Sequence, residues 1–327
     1  MLRRALALAV FVLLSVPHRL PAQQLVARAD TLWVAGRIFA AESLYYDAVR
    51  LEPRDPTARL ALGRYLAARG ALRVGAVLME EARYFGGDAK LVAVQLAPVY
   101  ERLGEFGALA ALPSSRLSYA ERTRAEWLRD NPASVDGPDS ALVTYRVTDG
   151  QLLGRVMLHV GSDSLMATID GRSDGLALDT SWARKASLKT FASRGDRDPQ
   201  HMAAVATKVQ VGAMTMNNVL VRFTPQRGLA SIGLSQIGRL APTFDPTVGT
   251  MLLRRSGRVA DTIPGYKIAT VTGPTGIEVV KTETTFPIGH PDIQRYLRTT
   301  RWTLNPRRGE LVVEVPGSPA ASSAPAP

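Results

Sequence analysis

Leu176-Ala177-Leu178-Asp179-Thr180-Ser181 carries more of the fold than any other stretch of this 327-residue chain. Three apolar residues behind Asp174-Gly175 predict a short buried strand, and its end delivers an Asp-Thr-Ser run into a loop. The same texture extends to both sides. Residues 156–160, 165–169, 207–211 and 219–223 are short runs rich in Val, Leu, Met and Thr, separated by Gly, Asp and Asn. Strands of this length and spacing predict an all-β domain over residues 141–260.

The elements after Asp179 come in a specific order. Val209-Gln210-Val211-Gly212 and Met216-Asn217-Asn218-Val219-Leu220-Val221 predict a hairpin. Ser231-Ile232-Gly233-Leu234 is an apolar pair ending in Gly, a helical piece runs to Leu240, and residues 243–253 predict a closing hairpin. An apolar strand ending in Asp-Thr, followed by these elements, resembles the retropepsin-like aspartic proteases over residues 150–258.

That resemblance implies a definite chemistry. Two carboxylates face one water, and because two such close charges cannot both ionise, one holds a proton while the other acts as base. A single lobe supplies one Asp, so the resemblance implies a homodimer in which Asp179 is the dyad carboxylate and the Thr180 hydroxyl bonds across the two loops. Ser181 stands where the family has Gly, and its side chain crowds the approach of the partner loop and substrate. Residues 190–202, at the place of the family's flap, are long and polar, with Arg194-Gly195-Asp196-Arg197 in their middle. Read without the resemblance, Asp179 is a turn-capping residue at a strand end.

Beyond the lobe, Ala260-Asp261-Thr262 repeats the Asp-Thr pair, but Ile263-Pro264 follows and too little chain remains for a complete second lobe. Residues 303–313 echo residues 243–253 at a step of 60, sharing an Asp/Asn-Pro-x-x-Gly turn signal. The segment 261–315 therefore reads as a β-rich extension, either an extra hairpin on the sheet or a remnant of a second lobe. The Pro-Ala-Ser tail at 316–327 reads as a flexible end.

The first half follows another period. Gly36, Gly70 and Gly104 are 34 residues apart, and Ala29, Gly63 and Ala97 keep the same step. Such a unit is two short antiparallel helices with small residues at the crossing and Gly at the turn. Gly36, Ala41, Tyr45, Ala48 and Pro53 resemble the tetratricopeptide repeat, as do Gly63, Gly70, Gly75 and Ala82 in the second copy. The resemblance covers residues 25–113. The third copy, with Leu109 at the small position, reads as a degenerate cap. Residues 119–129 predict one more helix, and Asn131-Pro132 through Gly137-Pro138-Asp139 marks a boundary, making 114–140 helix and linker.

At the start, Arg3-Arg4 precede an apolar run over residues 5–16, and Pro21-Ala22 precede Gln23. This is the layout of a cleaved signal peptide, with residues 1–22 removed and the protein exported to a periplasm or medium. The run is shorter than the roughly 20 residues of a membrane-spanning helix, so no span is expected after cleavage. The formal charge of +11 loses three positive charges with Arg3, Arg4 and Arg19. The remaining arginines are scattered rather than gathered on one element, against nucleic-acid binding. There is no cysteine, and His159, His201 and His290 are isolated, so neither a metal site nor another cofactor is expected.

These observations give an α + β multidomain chain, with N-terminal helical repeats and a C-terminal all-β retropepsin-like domain. The leading expectation is an exported module that binds a peptide or protein, its protease site degenerate at Ser181. The alternatives are an aspartic endopeptidase active as a homodimer through Asp179, and a purely structural envelope protein.

Overall fold

A computed structural model describes residues 21–113, 117–147, 153–171, 173–259, 263, 265–273, 276–281, 284–305 and 308–314. The proposed signal segment, Asp261-Thr262 and the tail lie outside the described residues, Pro21 and Ala22 excepted.

The helical half begins with α1 (Ala22–Val34), α2 (Ile38–Leu51), α3 (Pro56–Ala68) and α4 (Leu72–Tyr84). It continues with α5 (Ala89–Leu103), α6 (Phe106–Ala110) and α7 (Tyr119–Asp130). Gly36, Gly70 and Gly104 all sit at the turn joining a helix to the next, with φ of 76°, 90° and 74°. This left-handed backbone is open to Gly and strained for other residues. The small residues at the crossings have an equally direct cause. A Cβ on Gly63 would lie 2.8 Å from the Gly75 carbonyl oxygen, and one on Gly75 would lie 2.6 Å from that of Gly63. The third helix pair is cut short, because α6 spans only five residues.

Helix starts are written locally. Asp55 accepts from the Ala58 N–H at 2.8 Å with Pro56 at the first helical position, and Asp88 accepts from the N–H groups of Lys90 and Leu91. Ser118 and Glu121 form a reciprocal capping box at α7. Between the first pairs, Trp33, Tyr45 and Tyr65 pack edge-on and tilted. The Tyr45 hydroxyl donates to Asp30 at 2.6 Å, and that of Tyr65 donates to Glu42 at 3.0 Å.

The β half starts with β1 (Ser134–Asp136), β2 (Ser140–Arg146), β3 (Arg155–Val160), β4 (Asp163–Asp170), β5 (Leu176–Asp179) and β6 (Leu188–Phe191). Then come β7 (Ala203–Val211), β8 (Met214–Thr224), β9 (Ala230–Gly233), α8 (Leu234–Gly238), β10 (Thr243–Asp245) and β11 (Thr250–Arg254). The chain ends in β12 (Tyr266–Gly273), β13 (Gly276–Lys281), β14 (Thr284–Pro287), α9 (Pro291–Leu297), β15 (Trp302–Asn305) and β16 (Glu310–Val313).

Six strands close into a barrel in the order β3-β4-β9-β5-β8-β7, with β7 returning to β3 through Val160 and Val209. The β4–β9 and β5–β8 pairs are parallel and the others antiparallel. In β3 the alternation of exposed and buried residues places Val156, Leu158 and Val160 in the core, as the period-two pattern requires. From β3 the sheet continues outward through β2, β11, β10, β15, β16, β12, β13 and β14. The segment read as linker contains β1, which pairs antiparallel with β8.

The two halves share cores. Phe191, Ala203 and Val205 of the barrel lie in one cluster with α4 to α7, and Val271 and Val280 lie in another with α1 to α3. Arg69 donates to the Thr270 carbonyl at 3.0 Å. The buried Arg124 pairs with Glu101 at 2.8 Å.

Candidate functional site

The Asp-Thr-Ser run lies where strand β5 ends. Leu176 to Asp179 are held on one side by parallel pairing to β8, and Leu176 to Leu178 on the other by antiparallel pairing to β9. The chain then turns into a single 3-10 turn over Thr180–Arg184, with Asp179 as its cap. Asp179 is only 8% exposed, and both of its oxygens are engaged. Oδ1 accepts from the Ser181 N–H at 2.8 Å and from the Ser181 hydroxyl, and Oδ2 accepts from the Gly228 N–H at 3.0 Å. Thr180 is half-buried at the first position of the turn.

These donors set the protonation state. The Ser181 hydroxyl bond is the largest influence and holds the Asp179 carboxyl below the ordinary carboxylate value. Burial opposes it, while the N–H bonds from Ser181 and Gly228 and the Arg227 cation reinforce it. A carboxylate stabilised in this way is a weaker base and holds no proton to give near neutrality. In this geometry the Asp179 carboxylate caps the 3-10 turn. The sequence already placed Ser181 beside it. Gly228, whose N–H comes from the loop after β8, has no signature in the sequence beyond the Gln226-Arg227-Gly228 turn.

At the other end of β5 from Asp179, the Ser173–Gly175 loop packs closely against Gly233 at the end of β9, beside Asp170. A Cβ on Gly233 would lie 2.0 Å from the Ser173 carbonyl oxygen, and the Gly233 N–H donates to Gly175 O at 2.7 Å. The Ile232-Gly233 pair thus serves close backbone approach, which only glycine permits.

The expected flap region is tied down. Its loop is braced internally by Asp198 N–H to Asp196 at 3.0 Å, Gln200 N–H to Asp198 at 2.9 Å, and His201 to Asp196 at 3.1 Å. At its base, Phe191 packs on Trp127 of α7 with centroids 6.1 Å apart, and Lys189 lies over both rings. His159 lies on the exposed side of β3 and bonds Ser164 at 2.8 Å. Among the described residues, no cluster of three or more His, Cys, Asp or Glu could hold a metal ion, and no helix is long and apolar enough to cross a membrane.

A concavity of about 400 Å³ opens on the helical half among α4, α5 and the start of α6. Val77, Tyr84, Tyr100 and Leu103 give it an apolar wall, and Glu80 and Glu105 stand beside them. Val77 and Tyr84 are 58% and 85% exposed.

No protein-family model and no curated protein matches the chain. Among solved structures similar to it is the crystal structure of a retropepsin-like aspartic protease from Rickettsia conorii. The identity is 18% and the TM-score 0.26, with 37% of this chain and 90% of that chain covered.

Proposed function

We propose that this is an exported protein whose β domain is a retropepsin-like lobe that no longer hydrolyses peptides and serves, with tetratricopeptide-like helical repeats, to bind a peptide or protein. One observation carries the loss of hydrolysis: both Asp179 oxygens are engaged by Ser181 and Gly228. A dyad carboxylate must instead present an oxygen to water and trade a proton with a second carboxylate. The flap base fixed on Trp127 supports the same reading, since peptide hydrolysis needs a closure that excludes water.

The binding half of the proposal rests on the concavity between α4 and α6. Exposed Val77 and Tyr84 offer apolar contact area, and aromatic side chains of this kind dominate binding energy where a partner buries them. An extended peptide with apolar residues suits this wall.

Full-length protein incubated with fluorescein-labelled casein between pH 3 and 8 tests both halves. The expected result is no cleavage that Asp179→Asn abolishes, together with saturable casein binding that weakens at least fivefold in Val77→Asp and Tyr84→Ala. Asp179-dependent cleavage by the unmodified chain would establish the homodimeric endopeptidase instead. Binding indifferent to both groove variants would refute the groove.

A further inference from the structure

The hairpins β10–β11 and β15–β16 stand 60 residues apart in sequence and side by side in the sheet. Thr243 pairs with Thr303 and Phe244 with Trp302, antiparallel, and the Leu304 N–H donates to Pro242 O at 3.0 Å. Moving each residue by the 60-residue step turns the Phe244–Trp302 pair into the Leu304–Pro242 pair and leaves Thr243–Thr303 unchanged. That exchange is the signature of a local two-fold axis, the self-complementary arrangement by which two copies of one surface meet. The axis passes between Thr243 and Thr303, whose hydroxyls bond each other at 2.6 Å in the buried sheet.

The relation extends well beyond the two strands. Buried Ile237, Phe244, Met251 and Leu253 correspond at the same step to buried Leu297, Leu304, Leu311 and Val313. Gly249 and Gly309 both have positive φ, and their carbonyls accept from Tyr145 N–H at 2.9 Å and Thr270 N–H at 2.6 Å. Strand β11 pairs antiparallel with β2, which leads into β3, and β16 pairs antiparallel with β12, which leads into β13. Helices α8 and α9 are each entered through an Ile-Gly pair, Ile232-Gly233 and Ile288-Gly289. The chain goes from β14 directly to α9, so among the described residues the strand that carries Asp179 has no counterpart.

We infer that residues 266–313 are a shortened second lobe, carried in the same chain, which fills the sheet edge that a second copy would otherwise occupy. Strand β10 has β11 on one side and β15 on the other, and β11 has β10 and β2. The closing hairpin therefore offers no free edge to another molecule, and each protein carries one Asp179 with no route through this sheet to a second. The short lobe is also fixed from outside. Val271 and Val280 are buried with α1 to α3, and a Cβ on Gly309 would lie 2.4 Å from the Arg69 carbonyl oxygen. This inference rests on the two-fold relation and holds whether or not the helical groove binds a peptide.

Cysteine cross-linking tests it without reference to activity, because the chain has no cysteine of its own. The Leu304 N–H to Pro242 O bond marks Thr243 and Thr303 as a non-hydrogen-bonded pair, the closer of the two antiparallel pairings and within disulfide reach. Thr243→Cys/Thr303→Cys, refolded with oxidant, is expected to give a monomeric band holding an internal disulfide. Thr243→Cys alone is expected to stay a monomeric thiol. If two copies met through β10, the two-fold would set their residues 243 face to face. A disulfide-linked dimer of Thr243→Cys, or interchain linkage of the double variant, would overturn the inference. Hydrogen exchange on the unmodified chain gives a second readout should a cysteine variant fail to fold. Protection of residues 243–245 and 302–305 is expected to be unchanged over a hundredfold dilution, and protection lost on dilution would overturn the inference equally.

Discussion

Asp179→Asn separates a structural cap from half of a catalytic dyad by its effect on stability. The carboxylate receives three donors, the Ser181 N–H, the Ser181 hydroxyl and the Gly228 N–H. An asparagine offers one oxygen. If that oxygen keeps the two bonds from Ser181, the amide NH2 faces the Gly228 N–H, so one charge-assisted bond is lost and two donors oppose each other. Hydrogen bonds to charged groups contribute about 1.5–3 kcal/mol, and an unsatisfied buried group costs about 1–3 kcal/mol. Partial relaxation of the Gly228 loop brings the expected loss to about 2–3 kcal/mol at pH 7.

The pH dependence follows from the sign of the shift. The folded carboxyl lies below its ordinary value, so its contribution is complete above the unfolded value of about 3.9 and is lost as pH falls through the folded value. Urea unfolding of both proteins, followed by tryptophan fluorescence, is expected to show a gap at pH 7 that narrows towards pH 2. In a dyad, removing one of two crowded carboxylates relieves repulsion. An Asp179→Asn variant as stable as the parent at pH 7, or more stable, would refute the capping role.

Three further outcomes are expected. Gly70→Val places a β-branched residue at a φ of 90° and is expected to cost at least about 1 kcal/mol in urea unfolding; an unchanged midpoint would contradict the turn's need for glycine. Arg124→Ala leaves the Glu101 carboxylate, among the described residues, with the more distant Arg222 at 4.0 Å as its ion-pair partner and is expected to cost about 3 kcal/mol, measured the same way. Mass spectrometry of the exported protein is expected to find Gln23 at its N-terminus, and an intact Met1 end in a membrane fraction would contradict cleavage.

Much of the fold was legible because packing writes periodic constraints into sequence. The 34-residue step is visible because Gly63 and Gly75 abut each other's backbone and the turn glycines need positive φ. The strand at 156–160 is visible because its burial alternates. Strand β1 was not legible within the segment read as linker. It is three residues long and exists through its partner, with Asn217 donating to Ser134 at 3.0 Å and to Asp136 at 2.6 Å. The Gly228 contact to Asp179 was equally hidden, since it joins residues 49 apart through a backbone N–H that leaves no side-chain signature.

The short second lobe lies between these cases, and the reason bears on the site itself. Its closing hairpin keeps a constant 60-residue step because turn, register and two-fold contact fix the number of residues at once: Gly249 and Gly309 must turn, and Thr243 must meet Thr303. Strands β12 and β13 have no such constraint on their spacing, and their likeness to β2 and β3 is legible only from pairing partners. The features that bear on hydrolysis are of three separate kinds: the Ser181 hydroxyl on Asp179, the flap base held against Trp127, and a second lobe without a strand matching β5 among the described residues. None of the three follows from another, and none disturbs the buried alternation that closes the barrel. Restoring glycine alone should therefore not restore hydrolysis. Ser181→Gly is expected to free one Asp179 oxygen of a bond, raise its carboxyl towards the ordinary value and still cleave no casein at any pH between 3 and 8. Cleavage by Ser181→Gly that Asp179→Asn abolishes would show that Ser181 was the sole block, and that a second carboxylate reaches Asp179 by a route other than the β10 edge.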